Sequence, residues 1–463
     1  REMAVLSDEA ANRRTGLNRV ILAVVSIFVT TGWTFGWPPI RIMLEHAKVF
    51  EGAHDEGQLY EALFSFAAAG VDFGGHVAGW MFGIGGPRFC VAVGGTGCVI
   101  SMFFSFLATR YVATFNWLLF PALTIQAVAG AHFFVGVLNF QHAIPQYGNF
   151  IIGAFIYASC AGGSVSEWQR QLLETMGVLT PEGVQMMFLV QGCVYVAITL
   201  GVAALYPKEA YTSGRLNEED HGKCCSLEAW YGIVTSLGFW GLTLLTCTVG
   251  VHAKWVLSEL DSILEDRDVS KADAQAMTAV FFTWMPLKLL AAYLMASFAQ
   301  NFFKGNLNIM LILACIASMG QALVNTYGNF QAQVATFVFM PTLWQILYMT
   351  ATQYSGVLFP RPTDQAHAWG LLIGVQGIAM FTLNGLHAFA MAHGHATTNL
   401  MFAVFAGVAI VVIGVVDWKQ RSSGRAFKPR TAEPTANRSF AENVENSWCR
   451  QRSSDSRQPS SVE

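Results

Sequence analysis

Long apolar runs alternate with short polar segments along almost the whole of this chain. About twelve of the runs are long enough for a helix to cross a bilayer, which takes roughly 20 apolar residues. Their approximate bounds are 20–44, 59–83, 89–108, 114–138, 149–168, 184–206, 230–253, 274–298, 305–325, 331–352, 367–391 and 398–417. The pattern predicts an all-α, multi-pass integral membrane protein of the plasma membrane or an organelle, in contact with lipid over most of its surface.

A polar, charge-rich segment after the sixth run divides these spans into two groups of six. The predicted division is an N-terminal cytoplasmic segment 1–19, a six-helix bundle 20–206, a linker 207–229, a second bundle 230–417 and a disordered tail 418–463. Up to Arg430, placing both termini in the cytoplasm puts fifteen Lys and Arg residues in cytoplasmic loops and seven in the opposite loops, as the positive-inside rule favours. Lys254, directly after the seventh run, counts among the seven.

Composition excludes several classes of function. The chain is 53% hydrophobic and 12% charged, about half the charge of a soluble domain, so a water-soluble enzyme is excluded. The net charge of −3 and the lack of a basic stripe exclude a nucleic-acid partner. Ionisable groups within the spans are too few and dispersed for a membrane enzyme, and no phosphate-binding loop is present. We expect no cofactor, and we expect a monomer.

The two halves carry matching charges. An offset of 216 residues aligns Arg88 with Lys304 and thereby places Asp72, midway along the second span, opposite Lys288 in the eighth. A charge inside a membrane is costly, so both residues are candidates for substrate binding. Asp72 and His76, one helical turn apart, are also candidates for proton coupling. Structural hydrogen bonds or ion pairs remain the alternative for each of these residues.

The first span contains a break. Gly36 and Trp37 belong to a Gly-Trp-Thr-Phe-Gly-Trp-Pro-Pro stretch, residues 32–39, in which glycines and prolines weaken the helix. Unwound backbone can face a cavity and offer amide and carbonyl groups to an amino-acid zwitterion. A packing kink is the alternative interpretation.

Further spans supply uncharged polar side chains at mid-membrane depth. These are candidates for lining a wet cavity, although single polar residues also bridge helices. They are Tyr157 and Ser159 in the fifth span, Gln345 and Tyr348 in the tenth, and Gln376 in the eleventh. By contrast, His387, His393 and His395 near an external loop have no carboxylate or cysteine nearby to complete a closed site, so we predict no metal site there.

The loop between the second and third spans resembles a known motif. Its sequence, Gly79-Trp-Met-Phe-Gly-Ile-Gly-Gly-Pro-Arg88, is similar to the major facilitator signature G-x-x-x-D-R-x-G-x-R at Gly79, Gly86 and Arg88. The signature's Asp and first Arg are replaced by Gly83 and Ile84. The resemblance implies two six-helix bundles and gives these three residues a role in conformational change.

Two other stretches resemble a narrower group. Residues 36–52 and 149–159 are similar to solute carrier family 43 and to apicomplexan amino-acid transporters. That resemblance implies a facilitator of large neutral or cationic amino acids. We therefore predict a secondary transporter of a small polar metabolite, acting as a uniporter or a proton-coupled carrier. The alternatives are a proton-linked carrier of organic anions that uses Lys288, and a nutrient sensor that no longer transports.

Overall fold

The computed structural model describes residues 2–33, 35–138, 140, 143–144, 148–207, 227–267, 269–303, 306–328, 336–358 and 362–422. Within these ranges every regular element is a helix. In the N-terminal half the helices are α1 (Glu2–Thr30), α2 (Trp37–His46), α3 (Glu56–Arg110), α4 (Val112–Phe115), a 3₁₀ turn (Asn116–Leu118), α5 (Leu119–Leu138), α6 (Gly148–Ala161), α7 (Gly163–Thr175) and α8 (Pro181–Leu205). In the C-terminal half they are α9 (Leu227–Val234), α10 (Leu237–Glu265), α11 (Lys271–Thr283), α12 (Met285–Phe302), α13 (Leu307–Tyr327), α14 (Thr336–Leu358), α15 (Pro362–Met380), α16 (Thr382–His393) and α17 (His395–Ser422).

The helices confirm a multi-pass membrane protein. Among the described residues, seven helical stretches are long and apolar enough to span a membrane, and α11 with α12, bent by 55°, forms an eighth. The first, second, seventh and tenth predicted spans are helical but fall short of this measure of length and hydropathy. The linker 207–229 lies almost wholly outside the described residues, so the predicted domain bounds stay predictions, as does the cytoplasmic placement of the termini.

The predicted break in the first span is present. Helix α1 ends at Thr30 and α2 begins at Trp37, with prolines in its first turn, where a missing amide donor costs little. A Cβ atom placed on Gly32 would lie 1.9 Å from the carbonyl carbon of Gly162. Because Gly32 and Gly162 have no side chains, the backbone of this break can pack directly against the backbone of the α6–α7 junction.

The signature-like loop has a structural explanation. The second and third spans form the single helix α3, which is kinked at Gly86, where φ is 70° and ψ is −172°. Residues other than glycine rarely adopt that conformation. Arg88, two residues after Gly86, donates from Nε to the carbonyl of Tyr206 at the end of α8, over 2.7 Å. Gly79 is buried on α3. Gly86 and Arg88 thus form the turn and attach it to the sixth span.

One region of contact between the two halves lies towards one end of the molecule. We call this the far end; it contains the α2–α3, α10–α11 and α16–α17 connections and lies opposite the start of α1 and the end of α17. Ser164 donates to the carbonyl of Phe282 over 2.8 Å, and the Gln171 amide donates to the Thr283 hydroxyl over 2.6 Å. These bonds join α7 to the C-terminal end of α11.

Candidate functional site

A cavity of about 80 Å³ lies between the two halves. Its wall comes from the break between α1 and α2 and from α3, α5 and α6 on one side, and from α10, α14 and α15 on the other. Most of the lining is apolar, including Phe35, Phe134 and Trp369. The polar groups on the wall are therefore few, and each can fix the orientation of a bound molecule.

Asp72 and Lys254 form an ion pair on this wall. The Lys254 ammonium lies 2.8 Å from Asp72 Oδ2, and the two residues are only 2% and 3% exposed. Asp72 comes from α3 and Lys254 from α10, so each half contributes one charge. Removing either ion from water costs several kcal/mol, which the mutual attraction has to offset. The pair therefore places two opposite, mutually dependent charges beside the cavity.

The sequence prediction for Lys254 was wrong. The residue does not lie in a loop, because α10 continues for another eleven residues to Glu265 and buries Trp255, Val256 and Leu257 directly after it. The apolar pattern after Lys254 was the available signal. The apolar residues resume directly after this charge, so the seventh span continues past Lys254.

Lys288 lies elsewhere. Its ammonium donates to the carbonyl of Phe281 over 2.6 Å and sits 4.0 Å from the centre of the Phe281 ring. The interaction crosses the bend between α11 and α12. Among the described residues that line the cavity, Lys288 is absent, so the structure does not bring it together with Asp72.

Two predicted residues do line the cavity beside the ion pair. Ser159 lies on α6, where its hydroxyl is 3.1 Å from that of Thr31 at the break in the first span. Tyr348 lies on α14, and its hydroxyl accepts a hydrogen bond of 3.3 Å from the amide of Gln376 on α15. Gln376 is behind the wall and orients Tyr348. Thr31 is a polar lining residue that the sequence analysis missed.

Three other predicted residues lie close to the cavity without lining it. Gly36 belongs to the backbone crossing, and Trp37 is buried with its ring 5.5 Å from that of Phe64. His76 packs where α3 meets α15, because a Cβ on Gly370 would be 3.2 Å from its Cα. We therefore assign these residues to the packing around the site.

Two polar side chains of the fifth and tenth spans lie between helices. Gln345 is buried on α14, and its amide donates to the carbonyl of Gly153 in the other half at 3.4 Å. Tyr157 is half-buried on α6 and packs against apolar neighbours. Bridging and packing account for both.

The histidines near the far end have carboxylate neighbours after all. His387 Nδ1 is 2.6 Å from Glu259 Oε1, and His395 lies between Glu259 and Asp266, at 3.3 and 2.6 Å. His393 is exposed. The prediction that no carboxylate lies near these histidines was wrong, because the far end of α10 packs against α16 and α17 although about 130 residues separate them in sequence.

Comparison with known proteins identifies the fold. No protein-family model matches the chain, and no curated protein sequence matches it. The E. coli fucose:proton symporter is 14% identical, with a TM-score of 0.61 over 86% of this chain and 98% of the other. A proton:xylose symporter is 12% identical, with a TM-score of 0.65 over 86% of this chain and 95% of the other. A nucleoside transporter is 12% identical, with a TM-score of 0.57 over 85% of this chain and 99% of the other.

The chain therefore has the major facilitator fold. At these identities the similarity shows the fold alone. The resemblance to solute carrier family 43 stays a prediction.

Proposed function

We propose that this protein is a secondary transporter that carries a small polar solute by alternating access. The observation that carries the proposal is the Asp72–Lys254 pair, which places one charge from each half against a cavity between the halves. Carriers with two pseudo-symmetric lobes hold their substrate at this position. The three proteins of similar fold are named as transporters of fucose, xylose and nucleosides, which supports the same class of activity.

The charges favour a neutral amino acid as the substrate. The Asp72 carboxylate suits an ammonium group and the Lys254 ammonium suits a carboxylate, and an amino-acid zwitterion carries both. The ion pair has no net charge, which favours a neutral over a cationic amino acid. The aromatic part of the wall, with Phe35 and Trp369, suits a large apolar side chain. A sugar needs hydrogen-bonding groups but no charges.

The same ion pair provides a mechanism by which substrate binding can change the conformation of the carrier. In the absence of substrate, each charge satisfies the other across the boundary between the halves. A zwitterion that enters the cavity replaces both partners, so the halves can separate without leaving a buried ion unpaired. A proton on Asp72 would also break the pair, which makes Asp72 the candidate for proton coupling, with His76 one turn away.

Uptake by purified protein in proteoliposomes tests the proposal. The panel contains labelled leucine, phenylalanine, arginine, fucose, xylose and a nucleoside, with and without an inward proton gradient. The variants are Asp72→Asn and Lys254→Gln, and His393→Asn is the control because His393 is exposed and away from the cavity.

We expect saturable uptake of the neutral amino acids that both cavity variants lose and the control retains. Stimulation of wild-type uptake by the inward proton gradient would establish proton coupling. Uptake of sugars or nucleosides alone would overturn the amino-acid assignment, and folded protein that takes up none of the panel would overturn it as well and favour the organic-anion or sensor alternative.

A further inference from the structure

A second group of ionisable side chains joins the halves at the far end. Glu61 on α3, Glu259 on α10 and His387 on α16 each offer one ligand atom, and these atoms all lie within 4.8 Å of one another. Glu61 is 4% exposed and Glu259 is 1% exposed, and His387 is half-buried. One carboxylate thus comes from the N-terminal half and the other two groups come from the C-terminal half.

The negative charge of this cluster is only partly compensated by protein groups. Arg41 donates from Nη1 to Glu61 over 2.9 Å and from Nε to Glu45, also over 2.9 Å, so its single charge is divided between two carboxylates. Glu259 has imidazoles as neighbours, at 2.6 Å for His387 and 3.3 Å for His395. Arg41 and the two imidazoles are therefore the protein groups that offset two buried carboxylates from opposite halves, and a divalent cation bound among them would neutralise both carboxylates more completely.

The donor types suit a transition metal, and the ligand atoms of Glu61, Glu259 and His387, which lie within 4.8 Å of one another, would have to move closer together around it. Zinc binds imidazole nitrogen and carboxylate oxygen at about 2.0–2.2 Å in a tetrahedron, so its ligand atoms are about 3.3 Å apart. The distance of 3.3 Å from His395 Nε2 to Glu259 Oε2 already matches. The 2.6 Å hydrogen bond from His387 to Glu259 needs to lengthen by less than 1 Å when a metal ion takes the place of the proton.

We propose that Glu61, Glu259 and His387, with His395 as a further ligand, bind a divalent transition-metal ion of the zinc class. The ion would connect the two halves at the far end. Because the ligands come together only when the far end is closed, metal binding would favour this conformation over any in which the halves separate there. Its effect on a carrier is to slow alternating access.

Metal binding can be measured without any transport assay. Purified full-length protein is titrated with Zn²⁺ by isothermal calorimetry, and separately with Co²⁺, whose visible absorption reports nitrogen and oxygen ligands. The variants are His387→Asn, Glu61→Gln and Glu259→Gln. The control is His393→Asn, which removes an exposed histidine from the same helix as His387.

We expect one site per chain in the wild type and in the control, and at least a tenfold loss of affinity in each ligand variant, in line with the loss of one ligand. The Co²⁺ band should shift in His387→Asn. If a glutamate variant does not fold, His387→Asn and the Co²⁺ spectrum decide the matter alone. Unchanged affinity and spectrum in His387→Asn, or loss of the site in His393→Asn, would overturn the proposal. Neither result bears on the transport proposal, which rests on the cavity.

Discussion

Asp72 and Lys254 are 182 residues apart in the sequence, yet their side chains meet at 2.8 Å across the boundary between the two halves. Both are buried, so removing one charge leaves the other without a counter-ion in surroundings that solvate an ion poorly. The pair therefore contributes to the stability of the fold and, in our proposal, to substrate binding in the cavity. Mutations can separate these two contributions.

The first prediction separates them with a double-mutant cycle. Asp72→Asn and Lys254→Met each leave one buried charge unpaired, so each should lower stability by about 3–5 kcal/mol. The double variant restores neutrality and should recover most of that loss in thermal unfolding in detergent. Uptake should stay absent in all three. Normal uptake by the double variant would show that the pair is only structural.

The second prediction contrasts Lys288 with Lys254. Lys288→Gln removes the bond to the Phe281 carbonyl and the contact with its ring, so it should lower stability by roughly 1–3 kcal/mol. The substrate KM should change by less than about twofold, because Lys288 is away from the cavity. The measurement is uptake kinetics beside a thermal melt, and a large increase in KM would return Lys288 to the substrate site.

The third prediction concerns the crossing of the first and fifth spans. Gly32→Ala places a methyl group within 1.9 Å of the Gly162 backbone, so it should destabilise by at least about 1–3 kcal/mol or prevent folding. Gly201→Ala is the matched control, since no described atom lies within 4 Å of the added Cβ and alanine favours a helix. Size-exclusion profiles and thermal melts measure both, and equal stability of the two variants would contradict the close packing.

The fourth prediction tests the turn between the second and third spans. Gly86→Ala forces a positive φ on a residue with a Cβ and should cost roughly 1–3 kcal/mol. Gly57→Ala, in the same helix and in open space, should be neutral. Arg88→Ala should also destabilise, because the end of α8 loses its donor. Thermal melts of the three variants check this, and an unaffected Gly86→Ala would mean that the turn has a different conformation.

The fifth prediction uses a contact at the far end. Ser65 on α3 donates to the side-chain oxygen of Asn384 on α16 over 3.1 Å. Cysteines at both positions, joined through two disulfide bonds by a short bis-methanethiosulfonate reagent, should stop uptake because the halves can no longer separate there. Reductant should restore it. Each single cysteine variant with the same reagent is the control, and full uptake by the crosslinked protein would exclude movement at this contact.

Local features of the fold could be predicted from the sequence because they depend on neighbouring residues. The apolar runs gave most helices, and the glycines and prolines of residues 32–39 gave the break in the first span. Asp72 is a candidate from sequence alone because a carboxylate in an apolar helix is costly wherever it occurs, and its place on the cavity wall agrees with that prediction. The sequence does not show that Lys254 is its partner, because the choice among several lysines depends on how α3 and α10 pack.

The contacts of Asp72 and of the far-end histidines depend on how distant helices pack, which the sequence does not show. An offset of 216 residues matched Asp72 with Lys288 in sequence, but equivalent positions in two pseudo-symmetric halves need not be neighbours in space. Lys254 is a single charge within a continuous helix, so a span boundary placed at the first charge leaves it outside the membrane. The carboxylates beside His387 and His395 were missed for a similar reason, since Glu259 is more than a hundred residues away.

The glycine crossing has a consequence for how force passes through the N-terminal half. Gly32 and Gly162 touch through their backbones, so neither broken helix has room to slide or bend independently of the other. Just beyond the crossing, Ser164 is bonded to Phe282 in the opposite half, and just before it Thr31 lines the cavity. The glycine contact thus connects the cavity wall at Thr31 to the interface at Ser164, so we expect these two places to move together when the protein changes conformation.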